Sequence, residues 1–462
     1  MTSLPEEFSI GLDIRSTENL DKRLLFLMER AANKVKEIKP VLDYVHQKVV
    51  DYRKQRPYDT VTVVGSVGNE LYFPEVMPDG SYLVEVDVLY NREMPNAALP
   101  IYSESDEASV LYNREEPNFV VPTEKQPFIT VQMDFMDDKN RQIELPMGAC
   151  LVQVTSDIDE VDAGQRWKFF KKLWNGKTYL KSLGYTCLIP RQEDPSILGE
   201  IEIEPLETIR MLPLYRTCRT NTETMIVGGR ELKFKILVDK VSALKGPWPH
   251  KLSDFQNRER KWPETKVVDT IVQDGCLLTH KTSMLVYPLQ WKITFALAEQ
   301  QLTTRFSFHQ KFLFILLKLV KKKYLDMGVM ENGDARVGLT SYHLKTIYLW
   351  ACETRDPQQF AEYPGMAFLA FLSSLRKCIE NFVCPHYFIP TLNVMEGIGQ
   401  YKKQLTENDK KWIKEHKSIQ STLLKKIDNI IRNPEEFLTE DLLEVVDEKH
   451  LHELEKTIGE VE

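Results

Sequence analysis

The chain has 462 residues, 42% apolar and 28% charged, which is enough to bury one large core or two to three modest ones and excludes a disordered or low-complexity protein. It contains no apolar run of the roughly 18 residues a membrane span needs, and MTSLPEEFSIGLDIRS lacks a basic segment followed by an apolar one, so a cytoplasmic protein without membrane contact is expected. The net charge of -8 is uneven: residues 433 to 462 hold eleven Asp/Glu and two Lys, a local -9, which leaves -8 + 9 = +1 for the rest.

Residues 20 to 55 carry apolar side chains at helical spacing (Leu24, Leu27, Met28, Ala31, Val35, Ile38), and Pro40 is expected to kink or restart that helix. TVTVVGSVGN then reads as a β-branched strand running into a glycine turn at Gly65-Ser66, where glycine can expose backbone amides and serine adds a donor. Gly80-Ser81 in PDGS reads as a hairpin turn before the next strand.

That strand, SYLVEVDVLY at 81 to 90, places Glu85 and Asp87 on one face and Val84, Val86 and Val88 on the other. Like charges so close call for a cation or a solvated edge. LYNREMPN at 89 to 96 recurs as LYNREEPN at 111 to 118, and the 22-residue offset sends Glu85 to Glu107 but Asp87 to Ser109, so only the first copy keeps the pair.

The stretch RWKFFKKLWNGKTYLK, 166 to 181, has six Lys/Arg and no acid among its aromatics. Its pattern predicts a basic amphipathic helix, or two short ones, either as a solvated face, the commoner use of such a run, or with Lys168, Lys171, Lys172 and Lys177 available to phosphates. FKILVDKVSALKGPWP adds Asp239 within a β-branched strand, a third acid of the kind needed to hold two divalent cations for phosphoryl transfer. A mixed α/β region extends to about residue 285.

From 286 to 400, WKITFALAEQQL, FHQKFLFILLKLVKKKYL, SYHLKTIYLWACE and MAFLAFLSSLRKCIENFV all show helical spacing. KWIKEHKSIQSTLLKKIDNIIRN predicts one more helix, and the acidic stretch after it either forms a last helix or stays mobile. The seven cysteines (150, 187, 218, 276, 352, 378, 384) show no CxxC pair and read as reduced, mostly core thiols. Cys384 and His386 in CPHYF lack two further ligands and read as a structural turn.

A Gly-Ser turn, an acid-x-acid strand and a later strand with one acid form the pattern of nucleotidyltransferases. WKITFALAEQQL, LLKLVKKKYL, SYHLKT, CPHYFIP and GPWP resemble the cyclic GMP-AMP synthase and male-abnormal (Mab) domain family, including its cGAS-like receptors, over about residues 20 to 400. The resemblance implies an α+β, bilobal fold: an N-terminal segment (1–19), a nucleotidyltransferase core with a spine helix (20–285), a helical C-terminal lobe (286–405) and a helical, acidic tail (406–462).

It further implies that Glu85, Asp87 and Asp239 bind two Mg2+ or Mn2+ ions and that Gly65 and Ser66 meet the donor phosphates. By the same resemblance, Lys318 and Lys345 bind phosphates beside Ser341, Tyr342 stacks on a base, Lys292 faces the acceptor base and Glu299 lines the pocket. The segment between Glu299 and Lys318 has no cysteine, so no zinc site is expected there and the implied activator shifts from double-stranded DNA to double-stranded RNA. The implied activity is joining two nucleoside triphosphates into a cyclic dinucleotide for innate immune signalling, with oligomerisation on nucleic acid left open. The alternative is a catalytically silent binding or scaffold protein on the same fold.

Overall fold

The computed structural model describes residues 17–54, 60–77, 80–93, 131–134, 149–154, 170–172, 178–180, 214–218, 223–249, 252–279, 291–326, 339–395 and 407–444. Among these no helix is long and apolar enough to cross a membrane. The second copy of the LYNRE repeat lies outside them.

Helix α1, Glu18–Lys54, continues through Pro40 without the restart that was one of the two expectations. Pro40 and Lys36 are both exposed, so the carbonyl that loses its helical donor can turn to water. Leu20, Leu24, Leu27, Met28 and Ala31 enter one core. Ile38, Val41 and Val45 enter a second.

The chain continues through β1 (Thr60–Val64), a one-turn helix α2 (Gly65–Gly68), β2 (Glu75–Val76) and β3 (Tyr82–Glu93). The β2–β3 turn contains Gly80 at φ 78°, as PDGS suggested, with Met77 N–H donating to Ser81 O at 2.7 Å. Six short strands follow: β4 (Val131–Asp134), β5 (Ala149–Val154), β6 (Phe170–Lys172), β7 (Thr178–Leu180), β8 (Leu214–Cys218) and β9 (Glu223–Val227). Then come β10 (Arg230–Gly246), helices α3 (Ser253–Asn257) and α4 (Thr265–Asp274), β11 (Cys276–Thr279) and β12 (Trp291–Thr294).

The strands form one sheet in the order β1-β3-β10-β11-β12-β5-β7-β6, with β2 added to β3, β4 to β5, and β8 and β9 to β10. Two sequence expectations are corrected here. WKIT is a strand continuing the sheet, because Trp291 and Ile293 bury one face while Lys292 is exposed on the other, a period of two. The stretch 166 to 181 contains the antiparallel pair β6–β7, with Lys171 opposite Tyr179 and Lys172 opposite Thr178, rather than helices. Aromatic-rich segments suit a pleated ribbon, and β7 gains a further neighbour by joining β5 at Gln153.

The helical part comprises α5 (Ala296–Thr303), α6 (Phe308–Val320, continued by one wide turn over Lys321–Leu325), α7 (Ser341–Thr354), α8 (Pro357–Glu362), α9 (Pro364–Asn381), α10 (Glu407–Arg432) and α11 (Pro434–Phe437). Capping boxes start α6 (Ser307 with Gln310) and α7 (Thr340 with His343). The acidic stretch begins as a short 3-10 helix, Glu440–Leu443, docked on α1. Leu438, Leu442 and Leu443 are buried there, while Arg30 pairs with Glu440 at 2.7 Å and Lys323 with Asp441 at 2.6 Å. The chain is thus a mixed α+β protein.

Candidate active site

On β3 the two faces separate as the alternation demands. Val84, Val86 and Val88 are buried with Ile38, Val41 and Val45 of α1, while Glu85 and Asp87 keep partial access to solvent on the opposite face. Asp87 is paired in register with Val64 of β1 on one side and with Asp239 of β10 on the other. The β3–β10 ladder is parallel, so residues at matched positions share a face. Asp239 therefore occupies the position beside Asp87, although its side chain is outside the described set.

Gly65, next after Val64, closes on this point. Its φ of 66° favours glycine, and a Cβ built there would lie 1.7 Å from Asp87 Oδ2. The loop backbone thus presses on the carboxylate through a surface that any other residue would fill. Asn69 N–H donates to Gly65 O at 3.0 Å and Leu71 N–H to Ser66 O at 2.8 Å, which folds the loop back on itself. Glu70, at φ 55°, is tied by its carboxylate to Lys311 at 2.7 Å. Oxygen donors from carboxylates suit hard divalent cations such as Mg2+ or Mn2+. Among the described residues no three His, Cys, Asp or Glu side chains form a group able to hold a metal, a set that omits the Asp239 side chain.

Lys318 and Lys345 connect the helical residues to this face. Lys318 Nζ donates to Leu71 O at 3.0 Å, directly after the loop. Burial lowers its ammonium to about 8, with Glu75 and Glu85 holding it up and Lys345 and Lys322 pushing it down. Glu75 is itself paired with Lys322 at 2.8 Å. Lys345 Nζ meets Glu299 Oε2 at 2.7 Å, and both side chains are nearly enclosed.

Tyr342 is 38% exposed, yet its hydroxyl is enclosed: Oη lies 2.7 Å from His386 Nε2. Burial, and after it the Glu299 carboxylate, push the phenol well above its usual range. His386 Nδ1 accepts from the amides of Phe388 and Ile389, each at 3.1 Å, so the proton of the neutral ring sits on Nε2 and is donated to Tyr342. Burial holds His386 down at about 4, against a pull upward from Glu299 and assisted by Lys292.

The structure thus brings Glu85, Lys318 and Lys345 within electrostatic reach, and Glu299, Tyr342, His386 and Lys292 likewise. Lys292 is exposed on β12, and Ser341 is exposed as the first residue of α7. Lys171 and Lys172 lie in β6 in a different part of the sheet order, and Lys168 and Lys177 fall outside the described residues. His343 is a capping residue, with Nδ1 accepting from Thr340 N at 3.0 Å and Nε2 donating to Val394 O at 3.2 Å.

The CPHYF segment is a turn, as expected: Cys384 N–H donates to Asn393 Oδ1 at 2.8 Å, and Phe388 stacks on Phe295 at 4.6 Å. Cys150, Cys276, Cys352, Cys378 and Cys384 are buried free thiols. The sequence reading missed His386 as the partner of Tyr342, Lys322 as the partner of Glu75, and Gln300. Only the cationic run KLVKKK hinted at any of them.

"Protein mab-21-like" of Aedes aegypti is 27% identical over 182 residues, covering 36% of this chain and 47% of that protein. The Drosophila melanogaster protein of the same description is 24% identical over 182 residues, 36% of this chain and 46% of its own. The aligned part is thus about half the length of these relatives. Residues 313–411 match the family model described as Mab-21 protein HhH/H2TH-like domain, and the chain is similar to Mab-21-like proteins over part of its length.

Proposed function

We propose that this chain is a nucleotidyltransferase that joins two nucleoside triphosphates into a cyclic dinucleotide when activated by nucleic acid, with double-stranded RNA the favoured activator. The observation that carries the reading is the register Val64–Asp87–Asp239, with Gly65 closed against Asp87. Two acids from neighbouring strands at one position, with Glu85 one alternation away on the same face, form a site for divalent cations beside a phosphate-binding turn.

In each transfer a ribose hydroxyl oxygen of one nucleotide bonds to the α-phosphorus of the other, the α–β bridging bond breaks, pyrophosphate leaves and the hydroxyl proton passes to a carboxylate. Two such steps close the ring. Glu85, Asp87 and Asp239 would hold two Mg2+ or Mn2+ ions, which when bound neutralise phosphate charge and acidify the hydroxyl. The amides and hydroxyl at Gly65-Ser66 hold the donor phosphates, Lys318 and Lys345 fix phosphate charge, Ser341 lies beside them, and Tyr342 offers a ring face for a base. Lys292 would face the acceptor base, and Glu299 would line the same pocket. No zinc is required. Lys168, Lys171, Lys172 and Lys177 belong to the proposed RNA-facing surface, and innate immune signalling in the cytoplasm is the implied setting.

A second reading, a silent binding or scaffold protein, is favoured by one observation. Lys345 is already matched by Glu299, and Lys318 already donates to Leu71 O. Labelled nucleoside triphosphates incubated with Mg2+ or Mn2+ and synthetic double-stranded RNA or DNA separate the two. A cyclic product that disappears in Asp87→Asn is the expected result. Nucleotide binding with no product from any ligand and metal, in well-folded protein, would favour the silent reading.

A further inference from the structure

Between the two charged clusters lies α5, whose residues 299 and 300 face different partners. Glu299 joins Lys345 at 2.7 Å on the pocket side. Gln300 turns instead to the glycine loop: its Nε2 donates to Val63 O at 3.2 Å and to Gly68 O at 2.9 Å. These carbonyls stand at the two ends of the turn that carries Gly65 and Ser66. Both partners are acceptors only, so the side-chain nitrogen, with two N–H groups, is the atom that must face them. The spot has little slack, since a Cβ at Gly68 would lie 2.2 Å from Val63 O and 3.4 Å from the Gln300 nitrogen.

We infer that Gln300 is a positioning residue that clips the two ends of the Gly65–Gly68 turn together and so fixes the Gly65 backbone against the Asp87 carboxylate. Only an amide of this length fits the task. A glutamate would place anionic oxygens against two carbonyls, and a methionine would fill the space but donate nothing. Because Glu299 precedes it on the same helical turn, the clip also ties the loop to the Lys345 and Tyr342 pocket. The inference rests on the nucleotidyltransferase reading for its consequence but not for its geometry.

Two measurements on the full chain test it. In Gln300→Met, backbone amide hydrogen exchange at Asn69 and Leu71, whose N–H groups close the loop, should rise at least about tenfold while the buried turns of α1 and α9 keep their protection. Turnover of nucleoside triphosphates should fall by about 100-fold with KM changed far less, as expected when reacting groups are misplaced but binding contacts remain. Gln300→Glu should repeat both effects. Should Gln300→Met lose protection throughout the chain, Gln300→Glu decides by the same local signature.

Unchanged exchange at Asn69 and Leu71 in a folded variant overturns the clip. So does a loss of turnover that appears wholly in KM. If the parent makes no product, the exchange arm still decides whether Gln300 holds the loop, and the nucleotidyltransferase reading alone falls.

Discussion

At the sheet, Glu85 and Asp87 share a face with the position of Asp239, and the buried Lys318 ammonium lies within electrostatic reach of Glu85. In the helical pocket the charges are matched inside the protein: Glu299 holds Lys345 at 2.7 Å, and the neutral His386 donates to Tyr342. In the first cluster acids of like charge lie side by side on one sheet face, with Lys318 as a neighbouring cation, whereas in the second acid and base are paired directly. Residues 299 and 300 of α5 link the two.

Breaking the balanced cluster should have the largest effect on stability. Lys345→Met leaves Glu299 enclosed without its cation and should destabilise the fold by about 3 kcal/mol in urea unfolding, most of it recovered when Glu299→Gln is added. Asp87→Asn, which should abolish product, should by contrast barely move the same unfolding curve. An equal loss of stability in both would erase the distinction.

Nearly as large is the dependence on pH. The folded value of His386, about 4, lies below the ordinary 6.5, so on acidification the unfolded chain takes up the proton first. Its contribution to stability is complete above about pH 6.5 and lost progressively toward pH 4, on the order of 3 kcal/mol in all. His386→Phe should flatten that part of the stability profile. Smallest is the exposed pair of Arg30 with Glu440, whose side chains are 57% and 59% accessible: Arg30→Ala should cost under about 0.5 kcal/mol and leave the docked acidic segment in place.

The carboxylate strand was legible because alternation over Val84, Glu85, Val86, Asp87 and Val88 is a local property of the chain, decided by which face meets α1. The helices of Phe308–Val320 and Ser341–Thr354 were legible because apolar periodicity is local as well. Lys171 and Lys172 were assigned to a helix because the basic run drew the reading, whereas pairing of Phe170 with Leu180 and the link of Tyr179 to Gln153 depends on a strand elsewhere in the sequence. Trp291–Thr294 was misassigned for the related reason that a four-residue strand preceding a helix shares its apolar pattern. Gln300 gave no signal at all, since its acceptors Val63 and Gly68 lie more than 200 positions away in the chain.

Helix α1 has a consequence for how the molecule comes apart. Its first half supplies Leu20 to Ala31 to one core and its second half supplies Ile38 to Val45 to the other, along a rod of 37 residues. Releasing either core strips one side of a rod whose isolated turns are only marginally stable in water, so damage at one end is felt at the other. Destabilising one core should therefore lower the melting temperature of the other, which a thermal scan of a variant altered at one end of α1 would read.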